Sequence, residues 1–140
     1  MARANPPNPL PIIAIFLCSA LFYIRLAPTD VAHWHQPVRG SEDASMMGGA
    51  VRVLTADATA LARVDSAAIA LPRTVRIAGS VDQGRITYLT RSKLIGFPDF
   101  TTVEYSEGQL KMFARLRFGR SDFGVNAARL KRLQRAAVGQ

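Results

Sequence analysis

The sequence predicts an α+β domain: an antiparallel sheet of about five strands with two helices packed on one face, preceded by one N-terminal transmembrane helix. Three observations predict it. Gln109 to Phe118 alternates, with Leu110, Met112, Ala114, Leu116 and Phe118 on one side and Lys111, Phe113, Arg115 and Arg117 on the other. That is the period of a half-buried strand. Several such segments follow one another through short turns, with helical patterns only at the flanks, which favours an antiparallel sheet. Finally, Leu10 to Ile24 is apolar throughout. The 140 residues are 49% hydrophobic and 20% charged, too apolar a balance for disorder.

Met1 to Pro9 is short and proline-rich, with one charge at Arg3. Fifteen helical residues from Leu10 span roughly 22 Å, and continuation to Ala27 brings this to roughly 27 Å, against a hydrocarbon core of roughly 30 Å. Arg25 can snorkel to the interface, where Tyr23 and Trp34 are also at home. A secretory signal peptide cut after Cys18-Ser19-Ala20 competes with an uncleaved anchor. The apolar run continues past that site through Leu21-Phe22-Tyr23-Ile24, which favours the anchor.

Pro28 to Gly49 reads as an irregular juxtamembrane linker. It contains both histidines, in His33-Trp34-His35, with Met46 and Met47 downstream. The spacing matches no closed metal-ligand set, so packing of this segment against the domain is expected. Ala50 to Leu54 reads as a strand. Thr55 or Asp57 then caps a helix through Leu71, with Leu61, Val64, Ala68 and Leu71 on one face. Thr74 to Gly79, Arg85 to Arg91 and Phe100 to Tyr105 read as strands. Ser106-Glu107-Gly108 turns the chain into the strand at Gln109. From Asn126 a final helix has Leu130, Leu133 and Ala137 on one side. The expected layout is residues 1–27 as anchor, 28–49 as linker and 50–140 as the α+β domain.

The net charge is +8, and from Gln109 onward eight basic residues face one acid, Asp122. So local an excess describes one face of the domain. Two loops echo each other: Arg91-Ser-Lys93-Leu-Ile-Gly96-Phe-Pro98-Asp99-Phe100 and Arg115-Leu-Arg117-Phe-Gly119-Arg120-Ser121-Asp122-Phe123. In each, two basic residues two apart end a strand, a glycine turns the chain, and an Asp-Phe pair closes the loop. One reading is structural, with Asp99 and Asp122 capping turns and neutralising the strand-end arginines. The other is an anion or partner site built from Arg91, Lys93, Asp99, Arg115, Arg117, Arg120, Ser121, Asp122, Asn126 and Arg129.

No nucleophilic triad and no phosphate-binding glycine loop is visible in the sequence. Arginines beside Asp99 and Asp122 would depress their acidity constants, which suits no general acid. No catalytic residue, cofactor or metal is therefore expected. The lone Cys18 offers no intramolecular disulfide.

The run Arg115-Leu-Arg117-Phe-Gly119-Arg120-Ser121-Asp122-Phe-Gly124-Val-Asn126-Ala-Ala-Arg129 resembles the C-terminal signature of the bacterial and plastid family called domain of unknown function 1499. Arg91-Ser-Lys93…Gly96-Phe-Pro98-Asp99 resembles its second motif. The likeness covers about Ala50 to Val138. Ala114 and Leu116 depart from it, because the family tends to have serines there. Arg25-Leu-Ala-Pro28…Trp34-His35 resembles a membrane-anchored alphaproteobacterial branch. The resemblance implies no activity, cofactor or substrate.

Together these observations lead us to expect a single-pass protein of the bacterial inner membrane with its domain in the periplasm. Its bilayer contact would be residues 10–27. Its role would be that of a non-enzymatic accessory domain whose basic face meets a membrane protein complex or anionic lipid. A small-ligand or lipid-binding domain is the alternative, and an enzyme the third. Nucleic acid is not an expected partner, because the membrane would separate the two.

Overall fold

The computed structural model describes residues 8–140; Arg3 and the rest of the first seven residues lie outside it. The elements in chain order are α1 (Leu10–Leu26), α2 (Val31–Trp34), β1 (Ala44–Met46), β2 (Gly49–Thr55), α3 (Ala60–Ile69), β3 (Thr74–Ser80), β4 (Arg85–Arg91), β5 (Pro98–Ser106), β6 (Gln109–Leu116) and α4 (Val125–Ala137). The strands form one antiparallel sheet in the order β1-β2-β6-β5-β4-β3. The fold class is α+β, as expected, with six strands rather than five. The added strand is β1, an exposed edge of three residues whose Ala-Ser-Met composition carries no alternation.

The alternation of β6 is realised from Leu110 to Ala114; the strand ends at a half-buried Leu116, and Phe118 lies beyond it, half-buried against Tyr23. Leu110, Met112 and Ala114 have no solvent exposure and form the core with Leu61, Val64, Ile86, Val103, Leu130 and Leu133. Helices α3 and α4 cover that face and pack on each other. The space under α4 is filled by these side chains. Burying each Leu or Met of this set contributes about 1.5–3 kcal/mol. The β5–β6 hairpin turns on Glu107 and Gly108, both with positive φ (50° and 78°), the geometry of a two-residue type I′ turn.

Asp65 on α3 joins the two layers. The Tyr88 hydroxyl donates to its Oδ1 at 2.8 Å, and Arg76 from β3 closes on the same carboxylate. Nothing in the sequence spacing announced this triad. Burial, and then the hydrogen bond to Asp65, push the Tyr88 phenol well above its usual range.

Helix α1 forms where the apolar run predicts it, and none of its residues is buried. At 17 residues it measures about 26 Å. Among the described residues no helix is long and apolar enough to cross a membrane. The expected transmembrane helix is thus present as an exposed apolar helix, about three residues short of the usual span.

The segment expected as a linker covers the second face of the sheet. Trp34 stacks on Phe100 with ring centroids 3.9 Å apart and planes 13° from parallel. Val38 is buried, and its amide donates to Glu104 Oε2 at 3.1 Å. The sheet is therefore covered on both sides, by α3 and α4 on one and by residues 27–38 on the other.

Candidate functional site

The strand arginines fasten the N-terminal arm. Arg115 Nη2 donates to the Trp34 carbonyl at 2.8 Å, and its guanidinium lies 5.0 Å from the Trp34 ring and 4.6 Å from the Phe113 ring. Thr102 Oγ1 donates to the same carbonyl. Two residues further along β6, Arg117 Nη2 donates to Pro28 O at 2.7 Å, and its Nη1 to Ala27 O at 3.3 Å. Alternation requires this pairing. Side chains at 113, 115 and 117 share the face opposite Met112 and Ala114, and the arm crosses that face. Burial lowers the Arg115 pKa from its usual value, yet a guanidinium stays charged at any biological pH.

Helix α1 is tied at the same end. Arg25 Nε donates to Ile95 O at 3.0 Å, and Nη2 to Leu94 O at 3.4 Å. Tyr23 meets Phe118 at 6.2 Å between centroids, tilted by 59°. Gly96 permits the contact: its φ is +81°, and a Cβ there would sit 3.0 Å from Arg25 Nε.

His35 anchors the arm deeper in the sheet. Its Nδ1 lies 2.9 Å from Thr87 Oγ1. Desolvation, and then the nearby Arg85 charge, lower its pKa below the ordinary 6.5. The folded arm therefore holds a neutral imidazole. Its contribution is present above pH 6.5 and is lost as pH falls through the lowered value, because the released state binds the proton more readily. Acidification below 6.5 is expected to expose Trp34, read as a red shift of its fluorescence, and His35→Gln is expected to flatten that shift. His33, by contrast, is exposed and packs edge-on against Trp34 at 5.0 Å.

The two aspartates have other partners than the strand-end basic residues expected. Asp99 sits in β5 on the helix side and pairs with Arg129 of α4 at 3.2 Å, with side-chain exposures of 14% and 11%. Arg129 also donates to Asn126 Oδ1. Burial raises the Asp99 pKa, outweighing the pull of Arg129. That reverses the expected depression. Asp122 keeps the capping role the structural reading expected, at the start of α4, accepting from Gly124 N at 3.1 Å and Asn126 N at 2.8 Å. Burial opposes its ionisation, but these amide donors hold its pKa below the usual carboxylate value.

The ten residues singled out in the sequence thus gather at one end of the sheet but divide by face. Arg115 and Arg117 hold the arm on one side, while Asp99, Asn126 and Arg129 form a cluster on the other. Arg91 Nη1 donates to Gly96 O at 3.2 Å and braces its own loop, whose Ser92 accepts from the amides of Gly96 and Phe97. Lys93, Arg120 and Ser121 are exposed. Beside Arg129 a shallow cleft of about 280 Å³ is lined by Arg73, Thr90, Arg129, Arg132 and the turn Leu71-Pro72. Buried and without a partner are Asn126 Nδ2, at the edge of this cluster, and Thr101 Oγ1 in β5. Sequence reasoning left Arg25 and Arg73 out of the candidate site; the packing of His33-Trp34-His35 against the domain, which it did expect, is realised through Trp34 and His35. A single tryptophan within a proline-rich stretch was the available signal for the arm, because an aromatic of that size seldom stands without a packing surface.

No curated protein matches the chain. A family model described as a protein of unknown function, DUF1499, matches residues 27–136. The match begins at Ala27, the first buried residue of the arm, and so includes the Trp34 contact together with the sheet. The chain belongs to the DUF1499 family.

Proposed function

We propose that the protein is a membrane-held, non-enzymatic accessory domain. Helix α1 embeds in the bilayer, and the domain sits directly against the membrane surface instead of hanging from a free tether. The observation that carries this reading is α1 itself, an apolar helix with no buried residue whose last turn is fastened to the domain through Arg25 and Tyr23. Water is a poor solvent for seventeen such residues, whereas lipid is a good one. The shortfall in length is of a size that local bilayer thinning and snorkelling accommodate. Fastening the last turn also favours retention of the segment over its cleavage. We place the domain in the periplasm at a bacterial inner membrane, with α1 as its uncleaved anchor. The protein is expected to stay with the membrane fraction through carbonate and high-salt washes and to leave it with detergent. Protease treatment of spheroplasts reads the orientation. A shortened protein in the soluble fraction would overturn the reading.

A second reading rests on the cleft beside Arg73, Arg129 and Arg132, whose three guanidinium groups suit a small carboxylate or phosphate. The filled space under α4 speaks against a deep lipid pocket. Chemical-shift changes at Arg129 and Thr90 on titration with inorganic phosphate would favour this reading.

A further inference from the structure

The sheet has two ends of different chemistry. At the end where α1 joins, β4 leaves at Arg91, β5 enters at Pro98, β6 leaves at Leu116 and β2 enters at Gly49. The connections there are residues 92–97 and 117–124, followed by the start of α4. They present apolar side chains to solvent: Leu94 is 85% exposed, Phe123 95% and Val125 53%. Phe123 has a φ of +51°, an uncommon conformation for a bulky residue, and is almost fully exposed. Exposed cations stand among them: Arg73, Lys93 and Arg120. The acids at this end are engaged: Asp99 by Arg129, Asp122 by the amides of α4, and the exposed Asp30, next to Thr29 of the arm, by the His33 amide. The opposite end carries Asp57, Asp82, Glu104 and Glu107 at or beside its turns.

The apolar surface of α1 continues onto this end. Cys18, Leu21, Phe22 and Arg25 of the helix line a groove of about 350 Å³ whose other wall is Leu94 and Ile95. Arg25 bonds to the carbonyls of those same two residues. If Arg25 marks the headgroup level, the tip of the 92–97 loop lies at that level or below it.

We propose that this end of the domain is a second membrane-contact surface, in which Leu94 and Phe123 enter the interfacial region of an anionic bilayer while Lys93, Arg120 and Arg73 meet its headgroups. The two echoing loops are then a pair of lipid-facing tips. Apolar side chains ringed by cations and poor in free carboxylates match the interface of a negatively charged leaflet, where basic residues gain from the surface potential and aromatic and aliphatic ones from burial. The contact also ties the tilt of the domain to α1, because the Leu94 tip lies against that helix. A soluble partner protein would leave the continuity of the α1 surface with Leu94 and Ile95 unexplained. This inference rests on the membrane placement of α1 and goes beyond it.

The test uses the full chain in vesicles of pure lipid. An environment-sensitive fluorophore is attached to native Cys18 or, in a Cys18→Ser background, to Leu94→Cys, Phe123→Cys or Glu107→Cys. With anionic vesicles carrying nitroxide lipid, the Cys18, Leu94 and Phe123 probes are expected to shift to the blue and lose emission. The Glu107 probe is expected to do neither. Leu94 and Phe123 probes that stay in water while Cys18 is quenched would overturn this inference and leave the anchor standing. Equal quenching of the two tips in neutral and anionic vesicles would also overturn it, because the cations would then have no part. A Cys18 probe that stays in water would overturn the anchor and this inference together.

Discussion

Replacing Arg129 with alanine is expected to destabilise the domain by about 3–5 kcal/mol at neutral pH. The change leaves the Asp99 carboxylate buried without its counter-charge, at 14% side-chain exposure. It also frees Asn126, whose Nδ2 already lacks a partner. The loss should shrink in acid. Burial already raises the Asp99 pKa, and removing Arg129 raises it further, so the folded variant takes up a proton at a higher pH than the unfolded chain does. Stability of the variant therefore falls as pH rises through that raised value and recovers below it. Denaturant melts of Arg129→Ala at pH 7 and pH 4.5 read both effects. Asp99→Asn should cost less, since it removes the charge that needs a partner and keeps the shape. If both variants matched the wild type at both pH values, the pair would be no structural element, and the cleft beside it would become the stronger reading.

The second large effect is expected at Phe100. Its ring has no solvent exposure, although it lies on the sheet face away from α3 and α4. Trp34 of the arm stacks on it, between its cross-strand neighbours Leu89 and Arg115. Phe100→Ala should cost about 3–5 kcal/mol for the ring and the cavity it leaves. Loss of the stack with Trp34 accounts for about 0.5–1.5 kcal/mol of this kind of interaction. Without a docked arm, Phe100 would stand on an open face and its truncation would cost less than about 1 kcal/mol. The size of the loss therefore distinguishes a sheet covered on both faces from one covered on a single face. Chemical denaturation in detergent is the measurement.

Part of this architecture was readable in the sequence for local reasons. The period-two pattern of β6 placed Met112 and Ala114 in the core and Arg115 and Arg117 opposite them, because side chains alternate whatever the rest of the chain does. β4 appears at the boundaries expected, and the turn at Glu107-Gly108 follows from residue chemistry. What escaped depends on contacts between distant residues. Arg117 bonds to Ala27 and Pro28, some ninety positions away. A guanidinium on a strand reads alike whether it awaits a ligand or grips a carbonyl. Arg115 and Arg117, singled out in the sequence for an anion or partner site, grip the carbonyls of Trp34, Ala27 and Pro28. One available signal was passed over in β5. Phe100, Thr101, Thr102 and Val103 are apolar or small on both sides, and all four are buried. A strand with one face in water would not read so. Similarly, Asp99 and Asp122 echo each other in sequence, yet one lies in a strand under α4 and the other caps that helix. Their loops have one pattern and two uses.

The docking of the arm by Arg115 and Arg117 is the central claim, and the single tryptophan tests it directly. Acrylamide quenching of Trp34 fluorescence in the full-length protein is the measurement. A docked arm predicts blue-shifted emission and weak quenching in the wild type, with a red shift and stronger quenching in Arg115→Ala while circular dichroism still shows the folded sheet. Emission and quenching in the wild type equal to those of the urea-unfolded chain would contradict it.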